Sequence, residues 1–328
     1  MQNSTEMEIG MKIEFSIIIA CYNSEKTIVS CLDSIEDQGV EIIIVNDCSS
    51  DNTDIVLKEY MLKYPKKNIF LHNNKCNIGA GLSRNIGIEL ATKEYILFLD
   101  SDDQLNTKCI SSLRKILKQF KSDCVIYDAL YLNKDQKNKV SMLFSKKIKE
   151  GEISTKEALV YTKGCTWGKV YKRSLITENK VKFAELTRNE DLVFSKLALS
   201  FMKTIQYIKK PLYIYKNNEC SLMNNKKLLD INNAYRAFDL IAKGLKGRNY
   251  DAELNSIYFM EIVYATTMTT IKKGNSIKEC YLHYISKCQK YQLPDKYYQK
   301  YILKYKILNL MFQYKMYHIL QFIVNGRG

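Results

Sequence analysis

Three carboxylates fall within four residues at Asp100-Ser101-Asp102-Asp103. Such crowding is repulsive, and a divalent cation or a shared proton is what mainly relieves it. Hard oxygen donors favour Mg2+ or Mn2+ over softer metals. A cation held by one or two protein carboxylates keeps open positions, which suit it to bridge the oxygens of a diphosphate. Two polar pairs, Tyr22-Asn23 and Asn46-Asp47, and the acidic pair Glu190-Asp191 are further candidates. Each of these pairs has an ordinary alternative as a helix cap, a turn former or a charge favouring a helix N-terminus.

The elements that must position these residues are legible around them. Apolar runs at 15–20, 41–46, 69–72, 95–100 and 123–127 are short and rich in Ile, Val, Leu or aromatics, as strands are. The two polar pairs follow the first and second runs, and the acidic cluster ends the fourth. Between them, Ser24 reads as an N-cap ahead of Ile28, Leu32 and Ile35, and Leu82, Ile86 and Leu90 repeat a helical spacing. Alternation of this kind predicts an α/β fold, with a largely parallel sheet covered on both faces and ligands at the carboxyl ends of its strands. Helical spacing over 231–245, 254–271 and 297–324 predicts a C-terminal helical region. In its last helix Tyr301, Tyr305, Leu308, Met311 and Phe312 interleave with Lys300, Lys304, Lys306 and Lys315. That pattern fits a capping helix, a homodimer interface, or peripheral contact with an anionic membrane.

A chain of 328 residues is long enough for one large nucleotide-binding domain and a smaller helical part. Its charge is divided unevenly. Residues 1–130 carry 14 Lys and Arg against 19 Asp and Glu, a net −5, so that residues 131–328 hold +20 of the total of +15. A basic second part suits phosphate-bearing or anionic partners, and equally a solvated lysine-rich face. The ten cysteines form no short metal-ligand spacing, and most sit in apolar runs, as Cys21, Cys109 and Cys124 do; they read as reduced core residues. The first ten residues lack a basic start and an apolar stretch, and no apolar run reaches spanning length, so the expected location is the cytoplasm.

Other chemistries find no support. Gly79-Ala80-Gly81 lacks a preceding strand, and the next glycine is Gly87, too distant for a dinucleotide fingerprint. The histidines His72, His283 and His318 are too scattered for a zinc site, and no Ser-His-Asp arrangement is visible.

The segments 15–28 (FSIIIACYNSEKTI), 43–53 (IIVNDCSSDNT) and 79–103 (GAGLSRNIGIELATKEYILFLDSDD), in this order and spacing, resemble glycosyltransferase family 2. The resemblance is strong over residues 13–130 and weaker at 166–170 (TWGKV) and 189–194 (NEDLVF). It implies a GT-A nucleotide-sugar-binding fold, Rossmann-like, with a mixed, mainly parallel sheet and helices on both faces. The implied division is an extension at 1–12, a catalytic domain at 13–220 with donor (13–130) and acceptor (131–220) halves, and a helical domain at 221–328.

The resemblance also implies roles. Cys21, Tyr22, Asn23, Glu25 and Asp47 surround the nucleotide base and ribose. Asp100-Ser101-Asp102 matches the Asp-x-Asp motif, with Asp100 and Asp102 on Mn2+ or Mg2+, and Arg84 lies near the donor phosphates. Asp191 is the catalytic base, with Glu190 positioning the acceptor or substituting for it. Trp167 and Asp103 fall on the acceptor side, and Lys169 beside them could hold the acceptor or the donor phosphate, or solvate a strand end. Asn46 and Cys48 depart from the family's usual Asp-Asp-Gly-Ser, removing a carboxylate and a glycine from that loop.

The expected activity is inverting transfer of a sugar from a nucleotide donor, a UDP-sugar, to a hydroxyl of a glycan or lipid-linked glycan in bacterial surface-polysaccharide synthesis, at the inner face of the plasma membrane. No nucleic-acid partner is expected. Two rivals are a non-catalytic module binding nucleotide sugars or polyanions, and a sugar nucleotidyltransferase. The first sits poorly with Asp100, Asp102 and Asp191 all present. The second needs a glycine-rich basic loop where Cys21-Tyr22-Asn23-Ser24 stands.

Overall fold

The structure, a computed structural model, describes residues 13–36, 39–133, 136–143, 148–216, 231–272, 277–287, 291 and 302–316. A single sheet organises the first two thirds of the chain, in the order β3-β2-β1-β4-β9-β6-β10-β5. Its parallel part is built from β1 (Phe15–Cys21), β2 (Glu41–Asn46), β3 (Asn68–Asn73) and β4 (Tyr95–Phe98). Next come β9 (Lys169–Lys172), antiparallel to both neighbours, and the parallel pair β6 (Cys124–Asn133) and β10 (Ile205–Lys216). The short β5 (Gln104–Leu105), β7 (Gln136–Val140) and β8 (Gly151–Ile153) add antiparallel edges.

The unbroken apolar runs of β1 and β2 are explained by cover on both faces. Ile17, Ile19, Ile42 and Ile44 belong to one apolar cluster, under α1 (Ile28–Asp33), α2 (Thr53–Lys63) and α4 (Cys109–Phe120). Their neighbours Ile18, Ile43 and Val45 belong to another. That second face is covered by α3 (Ala80–Leu90), α5 (Thr155–Tyr161), α6 (Arg173–Glu178) and α7 (Glu190–Leu199). α5 opens with a capping box, in which Glu157 N donates to Ser154 Oγ and Ser154 N donates to Glu157 Oε2.

A third apolar cluster lies among α8 (Ile231–Leu245), α9 (Asp251–Ile257), a π-helical turn (Tyr258–Tyr264), α11 (Lys278–Lys287) and α12 (Ile302–Gln313), with α10 (Ala265–Lys272) continuing the π turn. It also takes in Leu192 and Val193 of α7, so the helical region is packed directly on the sheet domain.

Two local expectations are corrected. Ser24 is not the N-cap of α1, which starts at Ile28 after Thr27; instead Ser24 shares a hydrogen bond with Ser101 at 2.9 Å between hydroxyl oxygens. Leu82, Ile86 and Leu90 are only partly buried, and α3 faces the sheet through Gly81, Ser83, Arg84, Gly87 and Ile88. A Cβ on Gly87 would stand 2.4 Å from Ile18 Cγ2, so the approach of α3 to β1 requires glycine there. Of the readings open for α12, burial of Leu308 and Phe312 in the third cluster fits the capping helix, while Ile307, Leu310 and Tyr314 remain exposed. Tyr301, Lys300 and the side chains of Lys304, Tyr305 and Lys306 lie outside the described residues.

Candidate active site

The carboxyl ends of β1, β2 and β4 meet, and short polar side chains stitch their loops together. Asn23, in left-handed backbone at φ 50°, donates its N–H to Ser49 Oγ and accepts from Ser50 N through its side chain. Glu25 N donates to Asp51, and Glu25 in turn accepts from Asn52 N and Nδ2. Thr53 Oγ1 accepts from Ser24 N, and the Ser24–Ser101 bond ties this pair of loops to the acidic cluster. Cys21 is buried, and burial, with Asp51 and Asp47 nearby, pushes its thiol up to about 12, so it stays protonated. Tyr22 is half exposed at the rim.

Asp47 is a hub. Its buried carboxylate accepts from Asn74 Nδ2 at 2.8 Å, Ile78 N at 2.9 Å and Gly79 N at 2.7 Å. Asn74 also donates to Ser83 Oγ, so the same contact fixes the entry into α3 and the residue beside Arg84.

Arg84 gathers the centre of the site. Its Nη2 donates to Asp100 Oδ1 at 2.8 Å, its Nη1 donates to Asp191 Oδ1 at 2.9 Å, and Nη1 stands 3.6 Å from Glu190 Oε1. Burial works against the guanidinium charge, but Asp191, Asp100 and Glu190 outweigh it and hold Arg84 above its ordinary pKa. For Asp191, burial and then the carboxylates of Glu190 and Asp100 raise the acid to about 7, with Arg84 pulling the other way. About a quarter of its side chain (27%) stays exposed. Its Oδ2 takes no hydrogen bond from the described residues, since Arg84 occupies Oδ1.

α7 delivers Glu190 and Asp191 from a start at Asn189, in left-handed backbone at φ 65°. Gly81 lets that start approach α3: a Cβ there would meet Glu190 Cγ at 2.9 Å.

Asp103, 1% exposed, accepts from Tyr213 Oη at 2.7 Å and Lys216 N at 2.8 Å, and Tyr213 Oη accepts from Asp100 N. Burial, then repulsion from Asp100, pushes Asp103 up to about 8, against its two hydrogen bonds. Trp167 stacks on Tyr213 at 4.9 Å and on Tyr215 at 5.6 Å between ring centroids, so part of the indole surface is already used within the protein. Lys169 is fully buried, and its ammonium donates to the carbonyls of Lys163 and Cys165; it holds the turn before Trp167 and offers no surface to a ligand.

Asp102 is partly exposed next to Asp100. Among the described residues no group of three His, Cys, Asp or Glu could hold a metal ion.

Arg84, Asp100, Glu190 and Asp191 are thus brought together, with Asp103 and Trp167 adjacent through Tyr213. Asn23, Glu25 and Asp47 support the loops. Sequence reasoning missed Tyr213, whose alternation within a strand gives no hint that its hydroxyl meets the acidic cluster, and Asn74, which carries no motif.

Residues 16–178 match the family model described as Glycosyl transferase family 2. The chain is 35% identical over 230 residues to the putative glycosyltransferase EpsH of Bacillus subtilis (strain 168), covering 66% of this chain and 64% of that protein. It is 28% identical over 209 residues to the poly(ribitol-phosphate) beta-N-acetylglucosaminyltransferase TarS of Staphylococcus aureus, covering 62% of this chain and 35% of TarS. The chain thus spans less than two thirds of the length of either relative.

In fold, it matches the crystal structure of S. aureus TarS 1-349 in complex with UDP-GlcNAc at a TM-score of 0.67 and 22% identity, covering 83% of this chain and 81% of that one. It also matches the mannosyltransferase PcManGT from Pyrobaculum calidifontis, in complex with GDP-Man and Mn2+, at a TM-score of 0.51 and 14% identity, covering 92% of this chain and 87% of that one. Among the described residues, no helix is long and apolar enough to cross a membrane.

Proposed function

Because the chain belongs to glycosyltransferase family 2, we propose that it transfers a sugar from a UDP-sugar to an acceptor hydroxyl, with inversion at the anomeric carbon. The observation that carries this reading is the Arg84 guanidinium, bound at once to Asp100 of the Asp-x-Asp segment and to Asp191 at the head of α7. Donor-side and acceptor-side carboxylates are thereby held within one side chain's reach.

In a single displacement the acceptor oxygen attacks the anomeric carbon as the bond to the departing diphosphate breaks, and the hydroxyl proton passes to Asp191. Asp191 Oδ2 is the atom available for that proton, because Oδ1 is engaged by Arg84. A carboxyl raised to about 7 by burial is a stronger base than an exposed aspartate and still ionised in half or more of the molecules at neutral pH. Glu190 and Arg84 set its charge, and Asp103 with Tyr213 holds the acidic segment against β10.

Asp102 and Asp100 would hold Mn2+ or Mg2+, which when bound supplies charge neutralisation for the leaving diphosphate. Tyr22 and the stitched loops would form the bed of the base, with Asp47, buried and taken up by Asn74, Ile78 and Gly79, bracing it from below instead of meeting the base. We place the catalytic domain at 13–220 and a helical domain at 221–328. The acceptor is a glycan or lipid-linked glycan of bacterial surface-polysaccharide synthesis, in keeping with the basic second part, and the reaction lies at the cytoplasmic face of the membrane.

Calorimetric titration with UDP, with and without Mn2+, on the wild type and Asp102→Ala tests the donor half. Metal-dependent binding lost in the variant is the expected result. Absence of binding to UDP, GDP, CMP and dTDP alike would overturn the reading. A screen of UDP-sugars for hydrolysis then identifies the sugar.

A further inference from the structure

α7 carries Glu190 and Asp191 on its first turn without any side-chain cap, so what fixes it must lie elsewhere. The grip comes from the helical region, at several points along the helix. Asn233 Nδ2 donates to Thr187 Oγ1 just before it. Gly244 of α8 approaches so closely that a Cβ would stand 2.4 Å from Leu197 Cδ2. Arg248 donates from Nη1 to Ser200 Oγ and from Nη2 to Ser200 O, each at 2.7 Å, at the far end.

The central contact is charged. Lys196, fully buried on α7, donates from Nζ to Leu159 O at 2.8 Å and Thr162 O at 2.7 Å, and lies 3.1 Å from Glu261 Oε1 in an ion contact without an aligned hydrogen bond. Leu159 and Thr162 close α5, whose last carbonyls attract a cation. From there the chain runs through Lys163 and Cys165, whose carbonyls Lys169 holds, to Trp167. Two buried ammonium groups therefore set the path from α5 to the indole.

A buried ammonium is costly without a counter-charge, and for Lys196 the helical region supplies it. Glu261 sits in the π-helical turn, a geometry that is rare and concentrated at functional places. Its neighbours Tyr258, Phe259, Ile262 and Val263 keep their places in the apolar cluster.

We propose that Glu261 is a positioning residue for the transfer site, acting through Lys196 on α7 with Asp191 and on the segment that ends at Trp167. This rests on the assignment of Asp191 and Trp167 to the site under the proposed function.

The test uses the full chain, with Glu261→Leu and the double variant Lys196→Met/Glu261→Leu. The double variant removes both charges and leaves an apolar contact, which keeps the fold without a buried unpaired ion. Trp167 is the only tryptophan, so its fluorescence and its quenching by acrylamide report the segment directly.

In both variants the quenching constant should at least double and UDP-sugar hydrolysis with Mn2+ should fall ten-fold or more. UDP affinity should stay within two-fold of the wild type, because β1 and β2 are untouched. In the double variant these losses should persist at a wild-type denaturation midpoint, which separates positioning from stability. Wild-type quenching and turnover in Glu261→Leu, or their joint recovery with stability in the double variant, would overturn the inference. If the wild type binds no nucleotide, the proposed function falls instead, and quenching alone decides the role of Glu261: unchanged quenching refutes it.

Discussion

Replacing Arg84 by methionine would leave Asp100, Glu190 and Asp191 facing one another without their cation. Two charge-assisted hydrogen bonds, of 2.8 and 2.9 Å, are lost, each contributing about 1.5–3 kcal/mol. Breaking a fully buried ion pair costs about 3–5 kcal/mol. Here Asp100 and Asp191 keep roughly a quarter of their side chains in contact with water, so the lower end applies and about 3 kcal/mol is expected at pH 8.

The pH dependence follows in sign. Asp191 is already raised in the folded protein to about 7, above an unfolded value of about 3.9, and Arg84 opposes that rise. Without Arg84 its folded pKa climbs further. The variant's added penalty is therefore largest where the unfolded carboxylate is charged and the folded one resists charging. As the pH falls and Asp191 protonates in the wild type too, Arg84 has less to hold there and the difference shrinks toward the bond to Asp100 alone, about 1.5 kcal/mol at pH 5. Urea unfolding of both proteins at pH 8 and pH 5, with equal m-values, measures the two differences. A penalty that is the same at both pH values, or under about 1 kcal/mol at pH 8, would refute the electrostatic role given to Arg84.

Further outcomes can be stated. Asp191→Asn should lower UDP-sugar turnover by about two to four orders of magnitude while leaving the UDP dissociation constant unchanged, and wild-type turnover should rise with pH through a midpoint near 7 as the base loses its proton; a pH-independent rate between 5 and 9 would count against Asp191. Gly87→Ala should destabilise the fold by about 1–3 kcal/mol, because its Cβ would press into Ile18, measured as a lowered urea midpoint. Asp103→Ala should cost about 1–3 kcal/mol by leaving Tyr213 Oη and Lys216 N short of an acceptor, and Asp103→Asn should recover only part of it, since its single amide oxygen can serve one of the two donors while its NH2 faces the other.

The sequence was most informative where one local signal decided the outcome. The run at 41–46 coincides with β2 and the pattern over 231–245 with α8, because continuous burial and helical spacing leave their mark residue by residue. The acidic cluster and the Glu190-Asp191 pair were recognisable from spacing and family resemblance. The bond between Arg84 and Asp191 was not, since it joins residues 107 apart in the chain. Lys169 and Lys196 were opaque for a related reason: a lysine reads as solvent-facing until the carbonyls that surround its ammonium are known. α3 misled by its leucines, because close approach to β1 selects small residues on the buried face and pushes the larger ones to its flanks. The π turn interrupts a helical pattern that looked continuous, and one extra residue per turn leaves no compositional trace.

The stitched loops at the ends of β1 and β2 divide their residues into those that are bound by inheritance and those that are free to drift. Asn23, Glu25, Asp51 and Thr53 each serve a partner on the opposite loop or at the start of α2, so a change at one must be answered by a change at another. Tyr22 stands between them, half exposed, and its side chain makes no hydrogen bond with the described residues. With Tyr22 in the bed of the base, as proposed above, its replacement would change the surface offered to the nucleotide while the frame around it stays intact.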